Sequence, residues 1–123
     1  MPTFKRFEDI QAWQKARELT RDVYRVTKSR DFAKDFGLVD QIRRSSVSIM
    51  ANIAEGFARR SDKDFAHFLN LARSSAAEVQ SHLYVALDQE YINADSFKMI
   101  YDKVEETSKM IFGLVSHLTG RPK

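Results

Sequence analysis

Apolar residues recur at steps of three and four along four stretches of this chain. In the first, Ile10, Trp13, Ala16, Leu19, Val23 and Val26 share one side of a helix over about residues 7–27. The second stretch, 37–56, carries Leu38, Ile42, Ser45, Ile49 and Ile53 on one face. The third, 62–88, carries Phe65, Phe68, Leu69, Ala72, Ala76, Val79, Leu83 and Ala86, and the fourth, 94–118, carries Phe97, Ile100, Tyr101, Val104, Ile111, Val115 and Leu118. Ser61 followed by Asp62 and Asp64 predicts an N-cap, with the hydroxyl accepting a backbone N–H and the acids at the positive end of the helix dipole. Asn93 or Asp95 opens the fourth helix. The link over 28–35 is charged and has no period. Proline stands only at Pro2 and Pro122, and glycine only at Gly37, Gly56, Gly113 and Gly120, which leaves little punctuation for β-hairpins. Four long helices with short links predict an all-α fold, an antiparallel up-down four-helix bundle forming a single domain over 1–123.

A bundle helix normally shows water a charged face at every turn. The first does so with Lys15, Arg17, Glu18, Arg21, Asp22 and Arg25. The other three do not, because 45–54, 79–87 and 111–118 contain no charge at all. Whole turns that avoid charge predict that copies of the chain cover one another. The alternative is that Ser45, Ser46, Ser48, Ser74, Ser75, Ser81 and His82 supply enough polarity for water.

Composition narrows the chemistry. The 123 residues include no cysteine, so disulfides, thiolate zinc sites and a cysteine nucleophile are excluded. Apolar runs are far shorter than the roughly 18 residues that span a bilayer, and the first residues turn acidic where a signal peptide would be apolar. A cytoplasmic location is the expectation. One Asp64–His67 pair at spacing three, Glu78 with His82 at spacing four, and an isolated His117 fall short of the ligand set of a di-iron bundle. No phosphate loop or nucleophile elbow occurs, so neither an enzyme, a cofactor nor a metal is expected.

The net charge of +3 is small for a nucleic-acid module and is spread unevenly. Residues 61–90 hold two basic and five acidic side chains, while 1–36 hold nine and six. Arg17, Arg21 and Arg25 form a line at spacing four on the first helix. Glu18 and Asp22 lie beside it, and each reaches an arginine three residues on, so a solvated face with internal ion pairs is the competing reading. Arg43–Arg44 and Arg59–Arg60 lie near opposite ends of the second helix. Two cations in the first turns oppose the dipole and predict specific partners, either phosphates or the carboxylates of Glu55 and Glu78. Glu55 opposes the other end of that dipole and calls for compensation by Arg59, Arg60 or a neighbouring subunit. With Asn52, on the same face, it reads as part of a structural network at a subunit contact, as does Glu78. Trp13 reads as core, together with Phe65, Phe68, Phe97, Tyr101 and Phe112.

Several of these residues form a recognisable pattern. Phe7-Glu8-Asp9-Ile10-Gln11-Ala12-Trp13-Gln14-Lys15-Ala16 leads to Phe36-Gly37-Leu38 and to Gln41-Ile42-Arg43-Arg44-Ser45-Ser46-Val47-Ser48-Ile49. Asn52-Ile53-Ala54-Glu55-Gly56, Arg60-Ser61, Phe65, Phe68-Leu69, Ala72-Arg73-Ser74-Ser75 and Glu78 follow. The chain resembles the bacterial four helix bundle protein family, whose genes often lie in intervening sequences of 23S ribosomal RNA genes. That family is related to the accessory variability protein of diversity-generating retroelements. The resemblance implies a barrel-like homopentamer without established enzymatic activity. Trp13, Asn52, Glu55, Gly56, Ser61 and Glu78 are the candidates for a structural or oligomer network. Through the retroelement relative, which binds nucleic acid and a reverse transcriptase, the resemblance implies nucleic acid or a second protein as partner. Two departures stand out: the family's usual proline before the second helix is absent from Phe32-Ala33-Lys34-Asp35, and Ser74 replaces a frequent glycine.

Overall fold

The structure, a computed structural model, describes residues 4–120. It consists of four helices, α1 (Gln11–Val26), α2 (Phe36–Phe57), α3 (Asp62–Asp88) and α4 (Ala94–Thr119), with no strand among the described residues. Each helix packs on the next and α4 closes on α1, so α1 and α3 face each other diagonally. Leu19, Ile42, Ile49, Ile53, Leu69, Leu83, Ile100 and Ile111 fill the interior with no exposure. Each such side chain contributes about 1.5–3 kcal/mol relative to solvent exposure. No helix among the described residues is long and apolar enough to cross a membrane.

The helix boundaries follow the predicted chemistry at two starts. Ser61 Oγ accepts the Asp64 amide at 3.1 Å, and Asn93 Oδ1 accepts that of Ser96 at 2.8 Å. The first helix begins later than its period predicts. Phe7–Asp9 is a separate 3-10 turn, and Ile10 is extended between it and α1. Ile10 is nonetheless fully buried, so its apolar spacing reflects core placement and not helical continuity.

The link before α2 holds a second departure. It contains a 3-10 turn, Phe32–Lys34, with Phe32 wholly buried and its ring stacked 5.1 Å from that of Tyr91. The Tyr91 hydroxyl donates to Asp35 Oδ2 at 3.0 Å, while Asp35 Oδ1 caps α2 by accepting the Leu38 amide at 3.1 Å. That bond to the carboxylate raises the phenol's pKa above its ordinary value. The link therefore ties the start of α2 to the turn between α3 and α4.

That turn is a Schellman motif. The Tyr91 amide donates to Ala86 O at 2.9 Å and the Glu90 amide to Leu87 O at 3.0 Å. Glu90 takes the left-handed position, with φ of 61°, where glycine is usual. Replacing it by glycine removes a steric cost of about 1 kcal/mol, so Glu90→Gly is expected to raise the thermal midpoint by several degrees.

Small residues bring α2 against α3. Ser48 Oγ and Ser75 Oγ lie 2.9 Å apart across the pair. Near its end, Gly56 sits so close to α3 that a Cβ there would meet Phe68 Cβ at 2.8 Å. The uncharged stretches are accordingly well buried within a single chain. Over 45–54 only Val47 and Ala51 are exposed, and over 79–87 only Ser81, Tyr84 and Val85 are. Ser45 and Ser46 are buried with their hydroxyls bonded to Gln41 O and Arg43 O.

Candidate nucleic-acid interface

The arginine line on α1 is exposed but largely engaged. Arg25 Nη1 lies 2.8 Å from Asp22 Oδ1, and the Arg17 guanidinium stands 5.9 Å from the Trp13 ring. Trp13 is half-buried, with its ring edge-to-face with Phe7 at 5.1 Å. Glu18 does not pair with Arg21. It faces Lys15 at 3.9 Å and Lys103 at 3.8 Å instead. Arg21 is exposed and has no ion-pair or hydrogen-bond partner among the described residues.

Asp22 departs from the solvated-face reading. It is buried against α4, where Lys103 Nζ approaches its Oδ2 at 2.7 Å. Burial pushes its carboxyl upward, but the bonds donated by Lys103 and Arg25 outweigh this and hold it below the ordinary carboxylate value. A lowered folded-state value means that its stabilisation is present above the unfolded carboxylate pKa. It is lost as the pH falls through the folded one. Asp22→Asn is therefore expected to cost about 2 kcal/mol at neutral pH and to reduce the acid sensitivity of the melting temperature, as followed by circular dichroism.

The arginines of α2 are held differently. Neither Arg43 nor Arg44 pairs with Glu55 or Glu78. The Arg43 guanidinium lies 4.4 Å from the Tyr24 ring, and its Nε donates to Thr27 Oγ1 at 2.9 Å. Arg44 Nε donates to both carboxylate oxygens of Asp40, at 3.0 and 2.9 Å. Each guanidinium thus uses its ε-nitrogen internally, and among the described residues neither places a terminal amino group on a protein partner. Both line an open groove of about 710 Å3 between α2 and Tyr24, together with Phe36, Asp40 and Val47. Phe36 is 81% exposed at the first position of α2.

At the far end of α2, Arg59 pairs with Glu55 at 3.0 Å and covers the Phe68 ring at 4.6 Å. This is one of the ion pairs anticipated for Glu55, formed inside one chain. Arg60 is exposed without a partner among the described residues, as is Glu78. Asn52 Nδ2 donates to Ser48 O and Oγ at 2.9 and 3.0 Å, so it joins the α2–α3 contact and not Glu55. Arg73 covers Phe112 at 4.6 Å. The seven candidate arginines therefore do not form one patch. Arg43 and Arg44 are brought together with two exposed rings, Arg17, Arg21 and Arg25 run along α1, and Arg59 and Arg60 lie apart. Among the described residues, no three His, Asp or Glu side chains gather in a metal-holding group.

Tyr24 and Asp40 belong to no motif of the sequence, and Phe36 enters only as part of the Phe36-Gly37-Leu38 pattern. For Phe36 the signal was available, since it falls two residues before Leu38 and hence off the apolar stripe.

Comparison with curated proteins gives no match. Among solved structures, the chain is similar to a protein of unknown function from the S23 ribosomal protein family of Bacteroides thetaiotaomicron. The two share 29% identity and a TM-score of 0.78, over 85% of this chain and 95% of that one. The family model described as 23S rRNA-intervening sequence protein matches residues 8–113, from the turn before α1 into the last turns of α4. The chain belongs to that family.

Proposed function

We propose that this protein is a non-enzymatic, cytoplasmic homo-oligomer, pentameric as its resemblance implies, that binds nucleic acid through surface arginines. The observation that carries the binding is the pair Arg43 and Arg44. Their ε-nitrogens are anchored by Thr27 and Asp40, and their terminal amino groups meet no partner among the described residues within an open groove. A guanidinium held in this way presents a fixed fork to a phosphate and loses little freedom on binding. Arg21, one turn from Tyr24, extends the same side. Assembly is supported by the apolar side chains left in water, among them Leu71 and Val85, which share a face of α3 with Glu78. Copies joined in a ring would each bring a groove, and multivalency would raise a modest affinity.

The test is fluorescence anisotropy of a labelled RNA against salt. Wild type is expected to lose affinity steeply with ionic strength, and Arg43→Ala/Arg44→Ala to bind more weakly with a salt slope shallower by about one to two. Absence of binding at about 50 mM salt, where phosphate contacts are strong, would contradict the proposal.

A second reading, assembly as a protein scaffold without nucleic acid, is favoured by one observation. The acid-rich α3 lies diagonally across the bundle from the basic α1. Copies packed α3 to α1 would make a head-to-tail contact, the kind that closes into rings, and would satisfy both charges without a ligand. In that case salt would dissociate the oligomer, and RNA would not bind.

A further inference from the structure

The groove holding Arg43 and Arg44 contains more than charge. Phe36 projects from the first turn of α2 and is 81% exposed, an unfavourable position for a ring that nothing among the described residues covers. It stands about 11 Å along the helix from the arginines, seven and eight residues on at 1.5 Å each. Tyr24, the other ring at the groove, already lies under the Arg43 guanidinium, which fixes that fork from below. The groove thus offers a flat apolar platform at one end and two oriented cationic forks at the other. Asp40 lies between them and is engaged by Arg44.

From this arrangement we infer that the groove is a site for unpaired nucleotides, with a base stacked on Phe36 and the neighbouring phosphates on the terminal amino groups of Arg43 and Arg44. The inference rests on the nucleic-acid reading above and narrows its ligand to single strands. A duplex hides the faces of its bases, so Phe36 could reach one only after unstacking it. A net charge of +3 provides little for tight duplex binding by phosphate contacts alone. Single strands supply both parts at once, because every base has a face to stack and every link a phosphate. An acidic peptide would satisfy the arginines and leave the ring bare.

The experiment compares three labelled probes at low salt: an unstructured single-stranded RNA of about 12 nucleotides, its duplex, and an abasic strand of the same length. Wild type is expected to prefer the single strand to both others. Phe36→Ala should weaken single-strand binding about tenfold while leaving the salt slope and the duplex affinity unchanged. Its surface position leaves the fold intact, which circular dichroism verifies. Equal binding of the abasic strand, preference for the duplex, an indifferent Phe36→Ala, or full displacement by a poly-glutamate peptide would each overturn this inference while the broader reading stands. If no probe binds wild type, the broader reading itself fails.

Discussion

Phe32→Ala is expected to lower the free energy of unfolding by about 3–5 kcal/mol, the range for truncating a fully buried phenylalanine. The effect is large because the ring joins two connections at once. It fills the space under the link and stacks on Tyr91, whose hydroxyl holds Asp35 at the start of α2. Truncation leaves a cavity, frees Tyr91 and loosens the α2 cap together. Chemical denaturation should show a lower midpoint, and Phe32→Leu should recover much of the loss. A cost below about 1 kcal/mol, the level of surface substitutions, would mean that the link does not pack as described.

The second large effect is at Gly56. A Cβ there would lie 2.8 Å from Phe68 Cβ, 2.9 Å from Phe65 Cδ1 and 3.2 Å from Phe65 O. Phe68 Cβ and a backbone oxygen cannot rotate away, so α2 and α3 must separate at this end. Gly56→Val is expected to cost about 3 kcal/mol, the upper part of the overpacking range, with only a small offset from helix propensity. Gly37→Ala is the control. Its added Cβ would have only Asp35 Oδ1 at 4.0 Å, and alanine favours a helix over glycine by about 1 kcal/mol. Stability there should hold or rise. Comparable losses at both positions would argue against a specific close approach at Gly56.

The helices were legible because their signals are local. Period and the caps at Ser61 and Asn93 are read within a few residues of the feature they set. Phe32 was not legible. Its partner Tyr91 lies far along the chain, and a lone aromatic in a charged link has no period to mark it. Asp22 was read as a surface charge although it stands between Leu19 and Val23 in sequence, next to the buried stripe. Its partner Lys103 belongs to α4, and pairing across a bundle leaves no trace in local spacing. The same reason hid the partners of Arg43, which are Tyr24 and Thr27 on and just beyond α1. Arg44 differs, because its partner Asp40 stands one turn back on its own helix, a spacing visible in the sequence. The uncharged stretches carried less information about assembly than their length implied, since serines bonded to their own helix bury as readily as apolar residues.

Sedimentation velocity with a labelled single-stranded RNA, followed in separate protein and RNA channels, tests the joint claim of assembly and binding most directly. The RNA should travel at low salt with a particle several times the 14.3 kDa chain, near five copies, and be released as salt is raised. Protein sedimenting as a single 14.3 kDa chain, with the RNA left behind at its free rate, would contradict the account.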